Sequence, residues 1–272
     1  MIEEINFTKG FIFKISLLKF ILSGMILSYP SLGQEGSFIN TKGGFEHIAS
    51  RDIGMSPLGY AGSGFFAGIS LEKNAENQDF HISGNFSKGQ QQNRYGGQIQ
   101  YNKGSFRVFS FYHKNKSSTN QLLWGWFMNN LFSHRYNPEF VNFMDHYEFF
   151  TNLGPAVKYL FPFQLWDRDF TFEGITNIQL LGLMVRPSYT SSYPVGFLSQ
   201  GSSVLQKVFY SSKFSHPGNT WNFGIRPKLS YQLNSGNSLS LGYQYEYYKL
   251  NTPNPVTQSN GIWFFGLYTR LK

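Results

Sequence analysis

A histidine and a serine stand two residues apart in the stretch DFHISGNFSK, residues 79–88. In a β-strand that spacing puts His81 and Ser83 on one face, because successive side chains alternate across the strand. The preceding stretch FFAGISL, residues 65–71, alternates in the same way. A turn at Ala75-Glu76 sets Leu71 opposite Phe80, Ile69 opposite Ile82, Ala67 opposite Gly84 and Phe65 opposite Phe86. The other face then pairs Ser70 with His81 and Gly68 with Ser83, and places Glu72 diagonal to His81, about 7–8 Å away at Cα. Ser83 as nucleophile, His81 as base and Glu72 as the carboxylate that orients the base would form an activated hydroxyl suited to ester hydrolysis.

The elements that would hold these residues are amphipathic hairpins. In YGGQIQYNKGSFRVFSFY, residues 95–112, a two-residue turn at Lys103-Gly104 pairs Tyr101 with Phe106, Ile99 with Val108 and Tyr95 with Tyr112 on one apolar face. Near the C-terminus a three-residue loop, Ser235-Gly236-Asn237, aligns Leu233 with Leu239, Tyr231 with Leu241 and Leu229 with Tyr243. The opposite face of that hairpin carries Arg226, Lys228, Gln244 and Glu246. Further strands are expected at 122–131, 148–160, 170–184, 204–214 and 262–271, with residues 34–64 forming a first strand or a segment tucked inside. Stripes of four to six apolar positions suit strands of about 9–11 residues, long enough to cross a bilayer when tilted. A strand sheet cannot leave open edges in lipid, so the sheet must close. The expectation is an all-β fold: a transmembrane antiparallel up-and-down β-barrel of about 10–12 strands, with 8 as the lower alternative. A soluble β-sandwich would show the same stripes with more surface charge.

Composition agrees with the barrel. Only 14% of residues are charged while 19% are aromatic, against about a quarter charged in an ordinary soluble domain. Mean hydropathy is nonetheless slightly negative, which fits strands that are greasy on one face only. There are no cysteines, which excludes a disulfide scaffold, a Cys-ligated metal and a lipidated N-terminal Cys. The formal net charge of +8 is spread without a run of basic residues, so nucleic-acid binding is not expected, whereas anionic lipid headgroups or polyanionic sugars are suitable partners. Residues 1–33 read as a secretory signal peptide: Lys14 and Lys19 flank a short apolar core at 20–27, and Ser31 and Gly33 stand at −3 and −1 of a cut before Gln34. Residues 34–272 are then one barrel domain.

The signal peptide, the cysteine-free hairpins and the final strand GIWFFGLYTRLK together resemble a Gram-negative outer-membrane β-barrel over residues 43–272. That resemblance implies an outer-membrane location, with outer-membrane lipid and lipopolysaccharide, and another envelope protein, as partners. Barrels of this type often end on an aromatic residue, whereas this chain ends in Leu271-Lys272. The local HISGN is similar to the His-x-Ser-Asn arrangement of outer-membrane lipid A deacylases at His81 and Ser83, but Gly84 intervenes before Asn85.

The hairpin register argues against that chemistry. Phe80, Ile82 and Phe86 form the lipid stripe, so His81 and Ser83 face the lumen, away from a lipid substrate. The expectation is therefore a barrel with a filled or narrow lumen, no enzymatic activity, no cofactor and a structural, binding or accessory role. A narrow channel for small solutes and a lipid esterase using Ser83, His81 and Glu72 are the alternatives. No metal site is expected, because His47, His113, His134, His146 and His216 lack clustered carboxylate spacing. Outer loops are expected at 133–145, 188–203 and 251–260, and Glu148, Glu173, Lys158 and Arg226 are expected to line the lumen.

Overall fold

The computed structural model describes residues 36–75, 77–113, 120–138, 145–186, 212–251 and 254–271. Their strands are β1 (Ser37–Asp52), β2 (Gly59–Asn74), β3 (Gln78–Gln92), β4 (Gln98–Tyr112), β5 (Gln121–Tyr136), β6 (Asp145–Leu165), β7 (Arg168–Ile178), β8 (Leu181–Val185), β9 (Lys213–Ser215), β10 (Thr220–Gln232), β11 (Ser238–Leu250) and β12 (Val256–Arg270). Neighbours pair antiparallel, and β1 pairs with β12 while β5 pairs with β6. The ring β1-β2-β3-β4-β5-β6-β7-β10-β11-β12 is thereby closed at ten strands. β8 and β9 lie outside that ring count. β8 continues along β6 beyond β7, and β9 pairs with β8, so the two short strands prolong β7 and β10 at one rim. Residues 34–64, expected as a first strand or a tucked segment, supply β1 and the start of β2. The signal-peptide residues, the loop at 188–203 and most of the 204–214 strand lie outside the described residues.

Alternation sorts the side chains. Rows of paired outward residues cross the wall, such as Leu241–Phe265–Gly43–Ala67–Phe86 and Leu239–Leu267–Thr41–Ile69–Gly84. Phe45, Ile69, Trp263 and Phe265 are at least half exposed there, which in water would be a liability and in lipid is the favourable arrangement. Strands β12 and β1–β4 run to 15–16 residues, longer than a bilayer requires, so on that side the wall projects beyond its apolar band.

Three expected registers are corrected. Lys103-Gly104 is no turn: β4 runs straight through it, and Lys103 points into the lumen to an ion pair with Glu46. The turn that precedes β4 is at 93–97, where Gly96 takes φ +92° and Asn93 Oδ1 accepts from the amides of Tyr95 and Gly97. The β2–β3 pairing is Leu71 with Ile82 and Ile69 with Gly84, two residues from the expected register. The β10–β11 pairing is Tyr231 with Leu239 and Leu229 with Leu241, again shifted by two. Both shifts preserve every face. The turn between β6 and β7 uses only Trp166 and Asp167, both at positive φ (51° and 56°), the conformation a two-residue hairpin demands.

Candidate functional site

The lumen is where the sequence's charged residues meet, and they sort into three layers. Lowest, near the rim that holds the start of β1 and the end of β12, Glu72 lies directly opposite His81, with Oε1 3.8 Å from Nε2. The Tyr268 hydroxyl donates to Glu72 at 2.9 Å and accepts from Lys228 at 2.5 Å. Lys228 also pairs with Glu173 at 2.8 Å. Lys158 then joins Glu173 to Asp79, at 3.3 and 2.9 Å, and His113 closes the chain on Asp79 at 2.8 Å.

The middle layer spans the barrel. Arg107 on β4 reaches Glu246 on β11, on the opposite side of the ring, at 2.7 Å. The same guanidinium donates to Gln244 at 2.9 Å and Asn129 at 3.3 Å. Arg226 donates to Glu246 and Asn177 and covers the Phe109 ring at 4.9 Å. Lys103 pairs with Glu46. A cavity beside these groups has room for about 20 Å³, about one water molecule.

The upper layer gathers residues from distant parts of the chain. Arg135 contacts Asp52 at 2.8 Å and Glu148 at 2.6 Å. Arg186 contacts the same two carboxylates, each at 2.5 Å, and donates to the Asn254 carbonyl at 2.7 Å. His146 Nε2 sits 3.7 Å from Asp52 and 3.5 Å from Glu148. Buried charges are tolerated when paired and hydrogen-bonded, and here two guanidiniums balance two carboxylates.

Each sequence candidate can now be placed. His81, Ser83 and Glu72 all face the lumen, and Glu72 is opposite His81 instead of diagonal to it. Ser83 is buried and lies opposite Ser70 and Arg107. The Phe109 ring packs against His81, and Tyr268 and Lys228 complete the enclosure, so His81 and Glu72 meet inside an ion-pair network and away from the lipid stripe, while Ser83 shares their lumenal face. Glu148, Glu173, Lys158 and Arg226 line the lumen as expected.

The upper cluster was missed. Asp52, His146 and Glu148 offer three ligand atoms within 4.8 Å of one another, so His146 does not lack carboxylate neighbours. His146 and Glu148 share a face by their spacing, which the sequence displays; Asp52, Arg135 and Arg186 come from elsewhere and could not be joined to them locally. The two arginines already neutralise both carboxylates. A divalent ion would leave a buried excess of positive charge, so the donor set fits an ion-pair cluster better than a metal.

No protein-family model matches the chain, and no curated protein matches it. Among solved structures it is similar to the outer-membrane protease OmpT from Escherichia coli, with 7% identity, a TM-score of 0.52, and 90% of this chain and 99% of that one covered. It also aligns with Neisserial surface protein A, at 14% identity and a TM-score of 0.38 over 87% of this chain and 100% of that one. A third is the translocator domain of the autotransporter NalP from Neisseria meningitidis, at 7% identity and a TM-score of 0.39 over 95% and 96%. The likeness to OmpT shows the fold, that of the β-barrels found in outer-membrane proteins. It also corrects the expectation of a chain without enzymatic activity. An outer-membrane protease shares this architecture, so neither the barrel nor its lumenal polar residues exclude catalysis.

Proposed function

We propose that this chain is an outer-membrane β-barrel with a closed lumen that serves the cell envelope through its outer rim, as a binding or accessory protein, and that residues 1–33 direct its export. The observation that carries this reading is the Arg107–Glu246 contact across the full width of the ring, flanked by ion-pair layers on both sides. An open aqueous path is poorly compatible with a lumen braced in this way. At the rim bearing both ends of the barrel, strands are joined by 75–77, 113–120, 166–167 and 233–237. The other rim carries 53–58, 93–97, 137–144, 186–212 and 251–255. Barrels place short turns in the periplasm and longer loops outside; the longest connection, 186–212, joins strands at the second rim, which makes it the outer one and its loops the preferred place for recognition.

The chain has no cysteine, so single-cysteine variants test this orientation cleanly. Tyr95, in the 93–97 turn, is 69% exposed and Trp166 is 85% exposed. A membrane-impermeant maleimide applied to intact cells should label Tyr95→Cys and spare Trp166→Cys until the cells are opened. The reverse pattern would invert the assignment of the rims and remove the reading with it.

A further inference from the structure

The outer wall above the apolar band sorts its charges. On β1, β2, β3 and β11 the carboxylates Glu46, Asp52, Glu72, Asp79 and Glu246 all turn into the lumen, as the ion pairs above require. The outward positions of β11, β12 and β1–β4 above the aromatic row Tyr243–Trp263–Phe45–Phe65 hold no carboxylate among the described residues. They do hold cations. Lys88 continues that aromatic row. Arg51 and Lys249 flank Thr257 in the top row, with Cα atoms about 10 Å apart at two strand spacings. Arg94 stands over the Tyr95 ring at 4.6 Å in the adjoining turn. All four cations are exposed, and Arg51 is held by donating from Nε to the Pro57 carbonyl at 3.1 Å, which leaves the end of its fork free to meet an anion.

Between Arg51 and Lys249 in the top row and the aromatic row lies a floor of small and amide-bearing residues. One row reads Gly261, His47, Ser63, Gln90 and Gln100; the next reads Ser259, Ala49, Ala61, Gln92 and Gln98. Amides and hydroxyls on a shallow floor suit a saccharide. Guanidinium and ammonium groups above it suit phosphate. Exposed Phe45, Phe65 and Trp263 below it suit acyl chains, because this floor is continuous with the lipid-facing band.

We infer that the β11–β12–β1–β2–β3–β4 wall is a docking surface for a phosphorylated saccharolipid of the outer leaflet. Arg51 and Lys249 hold its phosphates, the Gln and Ser positions hold its sugars, and its chains lie on the aromatic row. This rests on the membrane-barrel reading, and the test separates the two. The full chain is reconstituted in phosphatidylcholine nanodiscs. Binding is then measured for diphosphorylated lipid A, its dephosphorylated form, phosphatidylglycerol and inorganic phosphate, with wild type, Arg51→Gln/Lys249→Gln and a control at the other rim, Arg168→Gln. Diphosphorylated lipid A should bind wild type and the control alike. Loss of the phosphates or of the Arg51–Lys249 pair should weaken binding at least about tenfold, and phosphatidylglycerol and free phosphate should bind far less well. Equal binding by the double variant, by the dephosphorylated lipid or by phosphatidylglycerol overturns the inference. A chain that never enters the nanodisc overturns the barrel reading instead.

Discussion

The fully enclosed Glu46 carboxylate has Lys103 as its ion-pair partner. Removing one member of a buried pair costs more than the pair contributes, because the remaining charge stays dehydrated. Lys103→Met should therefore lower stability by about 3–5 kcal/mol, read from urea unfolding in lipid vesicles, and Lys103→Met/Glu46→Leu should recover most of that loss. A double variant no better than the single one would mean that pairing is not what this lysine supplies. At this scale the sequence shows which residues share a strand face, as it did for His81 with Ser83. It does not show partners. Lys103 next to Gly104 has the local chemistry of a turn, and only a glutamate 57 positions away explains why it lies in mid-strand. Arg135 and Arg186 are hidden for the same reason.

Strand faces were legible and strand registers were not. A shift of two residues leaves every apolar side chain on its own face, so alternation cannot distinguish Leu71 opposite Phe80 from Leu71 opposite Ile82. The turn decides, and its geometry is weakly encoded in 75–77 and 233–237. The face assignment has a direct consequence for charge tolerance. Ile69, inside the lipid band, should lose about 2–4 kcal/mol when replaced by Arg, whereas Ala61, on the polar wall of the same strand and the same face, should lose about 0–1 kcal/mol as Ala61→Arg. Equal losses in vesicle unfolding would place both residues in one environment and contradict the band. The β6–β7 turn offers a second check. Trp166 holds left-handed backbone that costs roughly 1–2 kcal/mol outside glycine, asparagine and aspartate, so Trp166→Asn should stabilise the barrel. A loss of stability would show that the exposed indole contributes more at this rim than the strained turn costs.

At the scale of the whole molecule, the ten-strand ring is the element the hairpins could not reveal. Closure depends on β1 meeting β12, the two ends of the described chain, and on β7 meeting β10 across the long connection at 186–212. Once closed, the ring is too narrow to keep its inward Lys, Arg, Glu and Asp side chains apart, and they condense into three bracing layers. A sealed lumen is the central claim about this molecule, and electrical conductance tests it most directly. After the barrel has been incorporated into planar bilayers from vesicles in which its folded, heat-modifiable form is verified, no stable conductance steps should appear at moderate voltage. Reproducible ohmic steps from that folded form would contradict the sealed lumen.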